Sequence, residues 1–143
     1  MTILNPVFFD RPADRVAHDL IGCCLNWTRS DDSHSRMITE TEAYIGPHDL
    51  ASHAARGRTK RTEVMFGEPG TLYLYFVYGM HWMLNVVTGP AGYPAAVLIR
   101  AVQDINGPAR LTKAMALTRS MGNRQTRKMV SGSLTTRDRP ALR

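Results

Sequence analysis

The sequence predicts an α+β fold, and three observations carry that prediction. Short runs of β-type residues recur between glycine and proline breaks, helical spacing of apolar residues occurs before and after them, and strand and helix do not alternate as a parallel doubly wound sheet requires. The chain has 143 residues, 43% of them hydrophobic and 21% charged, which suits a single domain spanning 1–143. At that length a fold buries roughly 70% of the surface its unfolded chain exposes, enough for a core without disulfides or a structural metal.

The elements follow in order. Ala13 to Cys23 places Val16, Ala17, Leu20 and Ile21 at helical spacing, with Pro12 at the start and Gly22 near the end. Cys23 to Trp27 alternates weakly as a strand, Thr28 to Ser35 reads as a polar turn, and Arg36 to Tyr44 reads as a second strand. Strict alternation puts Met37, Thr39, Thr41 and Ala43 on one side of it and Ile38, Glu40, Glu42 and Tyr44 on the other. Gly46 and Pro47 end that strand, and His48 to Gly70 has no sustained period, which predicts a long loop with room for a helical turn around Asp49 to Ala55. Thr71 to Val77 and Met80 to Thr88 predict a hairpin reversing near Tyr78-Gly79. Tyr93 to Val102 is a third β run, and Pro94 suits an edge strand or a strand start. Gly107-Pro108 opens a helix from about Pro108 to Leu117. Residues 120–143 are a basic tail for which helical, irregular and disordered courses all remain open.

Charge narrows the partners. The net charge is +6, yet residues 110–143 hold nine Lys or Arg against one acid, a net of +8, while residues 1–109 have a net of −2. Arg56, Arg58, Lys60 and Arg61 form a second basic concentration. Such a pattern fits a nucleic-acid footprint, and it also fits a solvated face with a frayed basic tail. No run approaches the ~18 apolar residues of a membrane span, and the start lacks the basic-then-apolar order of a secretory leader, so an intracellular protein, cytoplasmic or nucleoid-associated, is expected, with no membrane partner. Cys23 and Cys24 are adjacent and support neither a bridge framework nor a zinc site, and buried reduced thiols are expected. His53 and His81 have no second ligand at metal spacing, so no metal and no cofactor is expected. GxGxxG, P-loop and GxSxG patterns are missing, which removes support for hydride transfer, ATP hydrolysis and serine hydrolysis.

Two groups of residues could do chemistry. Glu40 and Glu42 lie two apart on one predicted strand face, and a carboxylate held in a cleft there is a candidate general base. A solvated face with ordinary glutamates explains the same spacing. Tyr73, Tyr75 and Tyr78 crowd one hairpin, with Tyr73 and Tyr75 on one face. Stacking on bases or wedging into a duplex would use them, as would an ordinary strand core.

The motifs Ile38-Thr39-Glu40-Thr41-Glu42-Ala43-Tyr44-Ile45-Gly46-Pro47, Ala51-Ser52-His53-Ala54, Gly70-Thr71-Leu72-Tyr73-Leu74-Tyr75-Phe76-Val77-Tyr78-Gly79-Met80 and Val97-Leu98-Ile99-Arg100-Ala101 together resemble the alkyladenine (3-methyladenine) DNA glycosylase family. The resemblance runs from Phe8-Phe9-Asp10 to Asn106-Gly107-Pro108-Ala109-Arg110-Leu111. It implies a mostly antiparallel curved sheet with a protruding tyrosine-bearing hairpin and flanking helices. It also implies a monofunctional hydrolase that flips alkylated purines out of double-stranded DNA and leaves an abasic site. By that resemblance Glu42 activates water, Arg100 holds Glu42 and the water, and Tyr44, His53, Tyr75 and Asn85 line the base pocket, Asn85 helping to reject guanine's exocyclic amine. Tyr78 fills the space of the flipped nucleotide. Arg56, Arg58, Lys60, Arg61, Arg110 and Lys113 are expected on the DNA backbone, the substrate is expected to carry alkylated or deaminated purines, and the protein is expected to act as a monomer.

Two departures shape a second expectation. The family's basic helical segment between Arg100-Ala101 and Gly107-Pro108 shrinks here to Val102–Asn106, and the strand that usually closes the pocket wall is expected to be missing. A damaged-DNA-binding module of weak or no activity is therefore the alternative. Service to RNA by Tyr78 and the basic clusters is a third, since stacking tyrosines suit single strands equally.

Overall fold

The computed structural model describes residues 2–46, 63–77, 81–117, 126–127 and 132–136. Two short helices open it. In α1 (Pro6–Phe9) the Asn5 side-chain oxygen accepts the Phe8 N–H and Pro6 occupies the first turn, where its missing donor costs nothing. Helix α2 (Ala13–Leu20) turns Ala13, Val16, Ala17 and Leu20 inward. Transfer of a side chain such as Leu20 from water contributes roughly 1.5–3 kcal/mol. The helix stops short of the expected Cys23 because Gly22, at φ 89°, takes the chain into the first strand.

The strands are β1 (Cys24–Arg29), β2 (Asp32–Tyr44), β3 (Leu72–Val77), β4 (His81–Thr88), β5 (Ala95–Val102), β6 (Ile105–Asn106), β7 (Thr126–Arg127) and β8 (Gly132–Thr135), with α3 (Pro108–Ala114) between β6 and β7. All pair antiparallel in the order β7-β3-β4-β5-β2-β1-β8, and β6 folds back on β5. This is an α+β domain, a curled antiparallel sheet with few helices.

Several boundaries differ from those the sequence predicts. The polar stretch Thr28 to Ser35 is mostly strand: pairing continues to Arg29 opposite Asp32, leaving only Ser30 and Asp31 in the turn. The apolar pattern fails there because the ribbon's exposed face needs no apolar residues, while Trp27 stacks on His34 at 5.2 Å on the other. Strand β5 is central rather than an edge, and Pro94 simply precedes its first residue. Within the basic tail, β8 pairs with β1 and sends Leu134 into the core. The backbone at Thr2–Leu4 covers its other side, with the Leu4 N–H donating to Leu134 O at 2.8 Å and Ile3 bridging Thr135. Cys23 is buried and its Sγ–H donates to Asp19 O, whereas Cys24 is only partly buried; both are free.

β2 is the pivot of the sheet. Its first half pairs with β1 up to Met37 and its second half, from Ile38, pairs with β5. The register slips on either side of Glu40, and such an irregularity bends a strand and changes which way its side chains face. Ile38 therefore enters the core that includes Val16, Leu20, Val97, Ile99 and Leu111. Thr41 points the same way and donates its hydroxyl to Ala17 O at 2.9 Å. Strict alternation, which grouped Ile38 with Glu42, fails at this point.

The sheet thus separates two layers. Helices α2 and α3 cover the larger core. On the opposite face a smaller cluster gathers Tyr73, Tyr75, Val87 and Ala96 under Met65 of the 3-10 turn Glu63–Phe66.

Candidate active site

The pairing register builds a continuous row of side chains across that second face. Tyr73 on β3 lies opposite Asn85 on β4, Asn85 opposite Leu98 on β5, and Leu98 opposite Glu42 on β2. Directly opposed residues point to the same side of a sheet. One row along, Val87, Ala96 and Tyr44 are aligned, and in the other direction Tyr75 faces Met83. Four strands therefore deliver Glu42, Tyr44, Tyr73, Tyr75, Asn85 and Arg100 to one surface.

Arg100 stands two residues beyond Leu98, diagonal to Glu42. Its Nη1–H donates to Glu42 Oε2 at 2.7 Å, the length of a charge-assisted bond. The side chains are 43% and 40% exposed, so the pair is reachable from solvent. It engages one carboxylate oxygen and leaves Oε1 without a partner among the described residues, oriented by the guanidinium and able to accept from water. Glu40 is exposed and lies at the register slip, so the two glutamates do not act as a matched pair.

The rest of the row is dry. Asn85 is fully buried, and its Nδ2 donates to Met83 O at 3.1 Å. A carbonyl can only accept, so this bond fixes the amide's orientation and turns Oδ1 away. Oδ1 has no partner, and neither does the buried Tyr73 hydroxyl, among the described residues. Burial, with smaller contributions from Tyr44 and Tyr75, pushes the Tyr73 phenol far above its ordinary range, so it stays protonated. Unpaired buried polar atoms cost about 1–3 kcal/mol each and concentrate at functional sites.

The positions singled out from the sequence divide in three. Glu42, Arg100, Tyr44, Tyr75 and Asn85 share the face just described. Arg110 and Lys113 are exposed on α3, in the layer behind the sheet. That helix meets the end of β4 nearest the hairpin turn, since the Thr112 hydroxyl donates to Trp82 O at 3.0 Å. His53, Tyr78, Arg56, Arg58, Lys60 and Arg61 lie outside the described residues. Sequence reasoning named Tyr73 only as one of three hairpin tyrosines that could stack on bases and gave no role to Met83; the register of β3 against β4 is what places both on this face. Among the described residues no group of three or more His, Cys, Asp or Glu could hold a metal ion, and no helix is long and apolar enough to cross a membrane.

Comparison with known proteins bears on this same surface. The family model for methylpurine-DNA glycosylase (MPG) matches residues 7–106. A protein of Myxococcus xanthus is 48% identical over 133 residues, covering 87% of this chain and 69% of its own length. One of Ehrlichia chaffeensis is 47% identical over 130 residues, covering 85% and 70%, and one of Methanocella arvoryzae is 40% identical over 163 residues, covering 100% and 80%. Each is named "Putative 3-methyladenine DNA glycosylase". The matched span includes every residue of the Glu42 row and Arg100, and the chain belongs to the methylpurine-DNA glycosylase family.

Proposed function

We propose that this chain is a DNA-repair glycosylase that flips alkylated purines of the 3-methyladenine type out of double-stranded DNA and hydrolyses the bond between base and sugar. The observation that carries this reading is the 2.7 Å Arg100–Glu42 pair, set at the open end of a row of buried tyrosine and asparagine side chains.

In the proposed reaction the sugar develops oxocarbenium character as the C1′–N bond breaks, and the bond's electron pair leaves with the base. Alkylation has already placed positive charge on that base, so it departs neutral. Glu42 stabilises the developing cation and takes a proton from the water that attacks C1′. Arg100 keeps the carboxylate aimed. No lysine lies in the motif blocks or among the described residues of this face to form a Schiff base, which supports hydrolysis without strand cleavage. Tyr44, Tyr75 and His53 would attract the cationic purine through their ring faces, worth roughly 0.5–2 kcal/mol over a neutral one. Asn85 shapes the pocket floor against guanine's exocyclic amine, and Tyr78 occupies the gap left by the extruded nucleotide, offsetting a few kcal/mol of lost stacking. Arg56, Arg58, Lys60 and Arg61, with Arg110 and Lys113 from α3, would hold the backbone of the duplex, and the protein acts as a monomer.

The exposure of Glu42 and Arg100 favours one second reading, an open site that binds distorted DNA without turnover. Single-turnover base release from a duplex carrying one alkylated purine separates the two. The glycosylase reading expects an abasic site in an uncut strand and no borohydride-trapped adduct, whereas lesion-dependent binding with no release supports the second.

A further inference from the structure

Most apolar side chains on the Glu42 face are used by the packing of the sheet. Tyr73, Tyr75, Val87 and Ala96 gather under Met65, and Leu98 is 4% exposed. Met83 is an exception: its side chain is only half-buried, and neither apolar cluster includes it. It lies opposite Tyr75 on β3, and continuing the Asn85–Leu98 register by two residues brings it level with Arg100 on β5. Its backbone is fixed by the ladder with β3 and by its carbonyl, which accepts the Asn85 amide at 3.1 Å.

Two successive same-face residues of β4 therefore offer different chemistry. Asn85, with Nδ2 committed to that carbonyl, has only the acceptor Oδ1 left to present. Met83 presents an unbranched thioether, apolar and adaptable in shape. The rim of an alkylated purine is divided in the same way, between polar nitrogens and an apolar alkyl group. Strands lie about 4.8 Å apart, so β4 stands roughly 10 Å from the strand of Glu42, within reach of a purine whose sugar sits at the Arg100–Glu42 pair. N3 joins the sugar-bearing N9 through a single carbon, so an N3-alkyl group lies at the sugar end of the base. Met83, level with Arg100, stands at that end.

We infer that Met83 is a specificity-determining residue, its thioether side chain receiving the alkyl group of a purine alkylated at N3. The inference rests on the DNA glycosylase reading and deepens it. Ring faces respond to the charge of the base, whereas Met83 responds to the added carbon, whose burial is worth about 4-fold in affinity. Met83 is suited to substitution because neither core cluster uses its side chain, and the bond that orients Asn85 comes from its main chain.

The experiment compares the wild-type chain with Met83→Leu, Met83→Gln and Met83→Ala. It reads affinity for duplexes carrying one uncleavable 3-deazaadenine nucleotide with hydrogen, methyl or ethyl at position 3, and single-turnover release from an N3-methylated duplex. The deaza bases are neutral, so ring charge does not enter the comparison, and preferences are ratios within one variant, so a partly unfolded sample does not distort them. The wild-type chain is expected to bind the methyl duplex about 4-fold more tightly than the hydrogen one. Met83→Leu keeps that preference and Met83→Gln loses it. Met83→Ala, with space where the thioether was, raises the ethyl-to-methyl affinity ratio about 4-fold over wild type. A wild-type chain that binds the methyl and hydrogen duplexes alike would overturn the inference, and so would an unchanged methyl preference in Met83→Gln. An intact preference without base release by the wild-type chain refutes the glycosylase reading alone; release without the preference refutes the inference alone; and failure to bind any of the duplexes refutes both.

Discussion

Tyr73 carries a fully buried hydroxyl with no partner among the described residues. Replacing an unpaired buried polar group by hydrogen removes its desolvation penalty, so Tyr73→Phe is expected to leave stability unchanged or raise it by about 1 kcal/mol in urea unfolding at pH 7. The pH dependence has a definite sign. Burial raises the folded phenol's pKa above its unfolded value near ~10, so its stability contribution is intact below that value and is lost as pH rises past it. Tyr73→Phe should therefore unfold less readily than wild type above about pH 10; a variant that is less stable at pH 7 would show that the hydroxyl is bonded in solution. At this scale the sequence is only partly legible. Alternation alone puts Tyr73 and Tyr75 together. The pairing of Glu42 with Arg100 joins residues 58 apart, and no local pattern encodes a partner at that separation, so the motif resemblance was the only route to it. The orientation of Asn85 is set by a backbone carbonyl two residues away, which composition cannot reveal.

Among elements, β8 shows how little of a long-range pairing is written locally. Gly132-Ser133-Leu134-Thr135 is too short and too polar to read as a strand within a basic tail. It becomes one because β1 offers a matching edge, Leu134 finds the core, and the Asn26 amide donates to Thr135 Oγ1 at 3.0 Å and to Ser133 O at 3.3 Å. Asn26→Ala is expected to cost about 1–2 kcal/mol in urea unfolding and to speed amide exchange at 133–135 before the rest of the sheet. Unchanged exchange there would assign the anchoring to Leu134 and the backbone ladder. The bulge in β2 is the counterpart: the run from Arg36 to Tyr44 was legible as a strand, but the face change at Glu40 was not, because it serves two different partner strands at once. Hairpin β3–β4 was recoverable almost to the residue, since its strands are adjacent in sequence and their β-type residues are dense.

For the molecule as a whole, an α+β class and a hairpin-rich sheet followed from composition and punctuation, while the curl follows from the long bent β2 that no periodicity displays. By sequence the charge is uneven, with a net +8 over residues 110–143 and a second basic concentration at residues 56–61, which lies outside the described residues. Neutralised phosphates release counterions, so the six proposed backbone contacts, Arg56, Arg58, Lys60, Arg61, Arg110 and Lys113, predict a slope of log affinity on log salt of about −5. Measuring affinity for an abasic duplex from low to moderate salt checks this, and an affinity that hardly changes would count against DNA as the partner.

In the proposed reaction Glu42, held by Arg100, activates the water that releases the base. Its most direct test is single-turnover release from a duplex with one alkylated purine, run with the wild-type chain and with Glu42→Gln, which keeps the shape and removes the base. Glu42→Gln is expected to lose at least about 100-fold in release, with binding to the abasic duplex within a few-fold of wild type. Release by Glu42→Gln at the wild-type rate would contradict it.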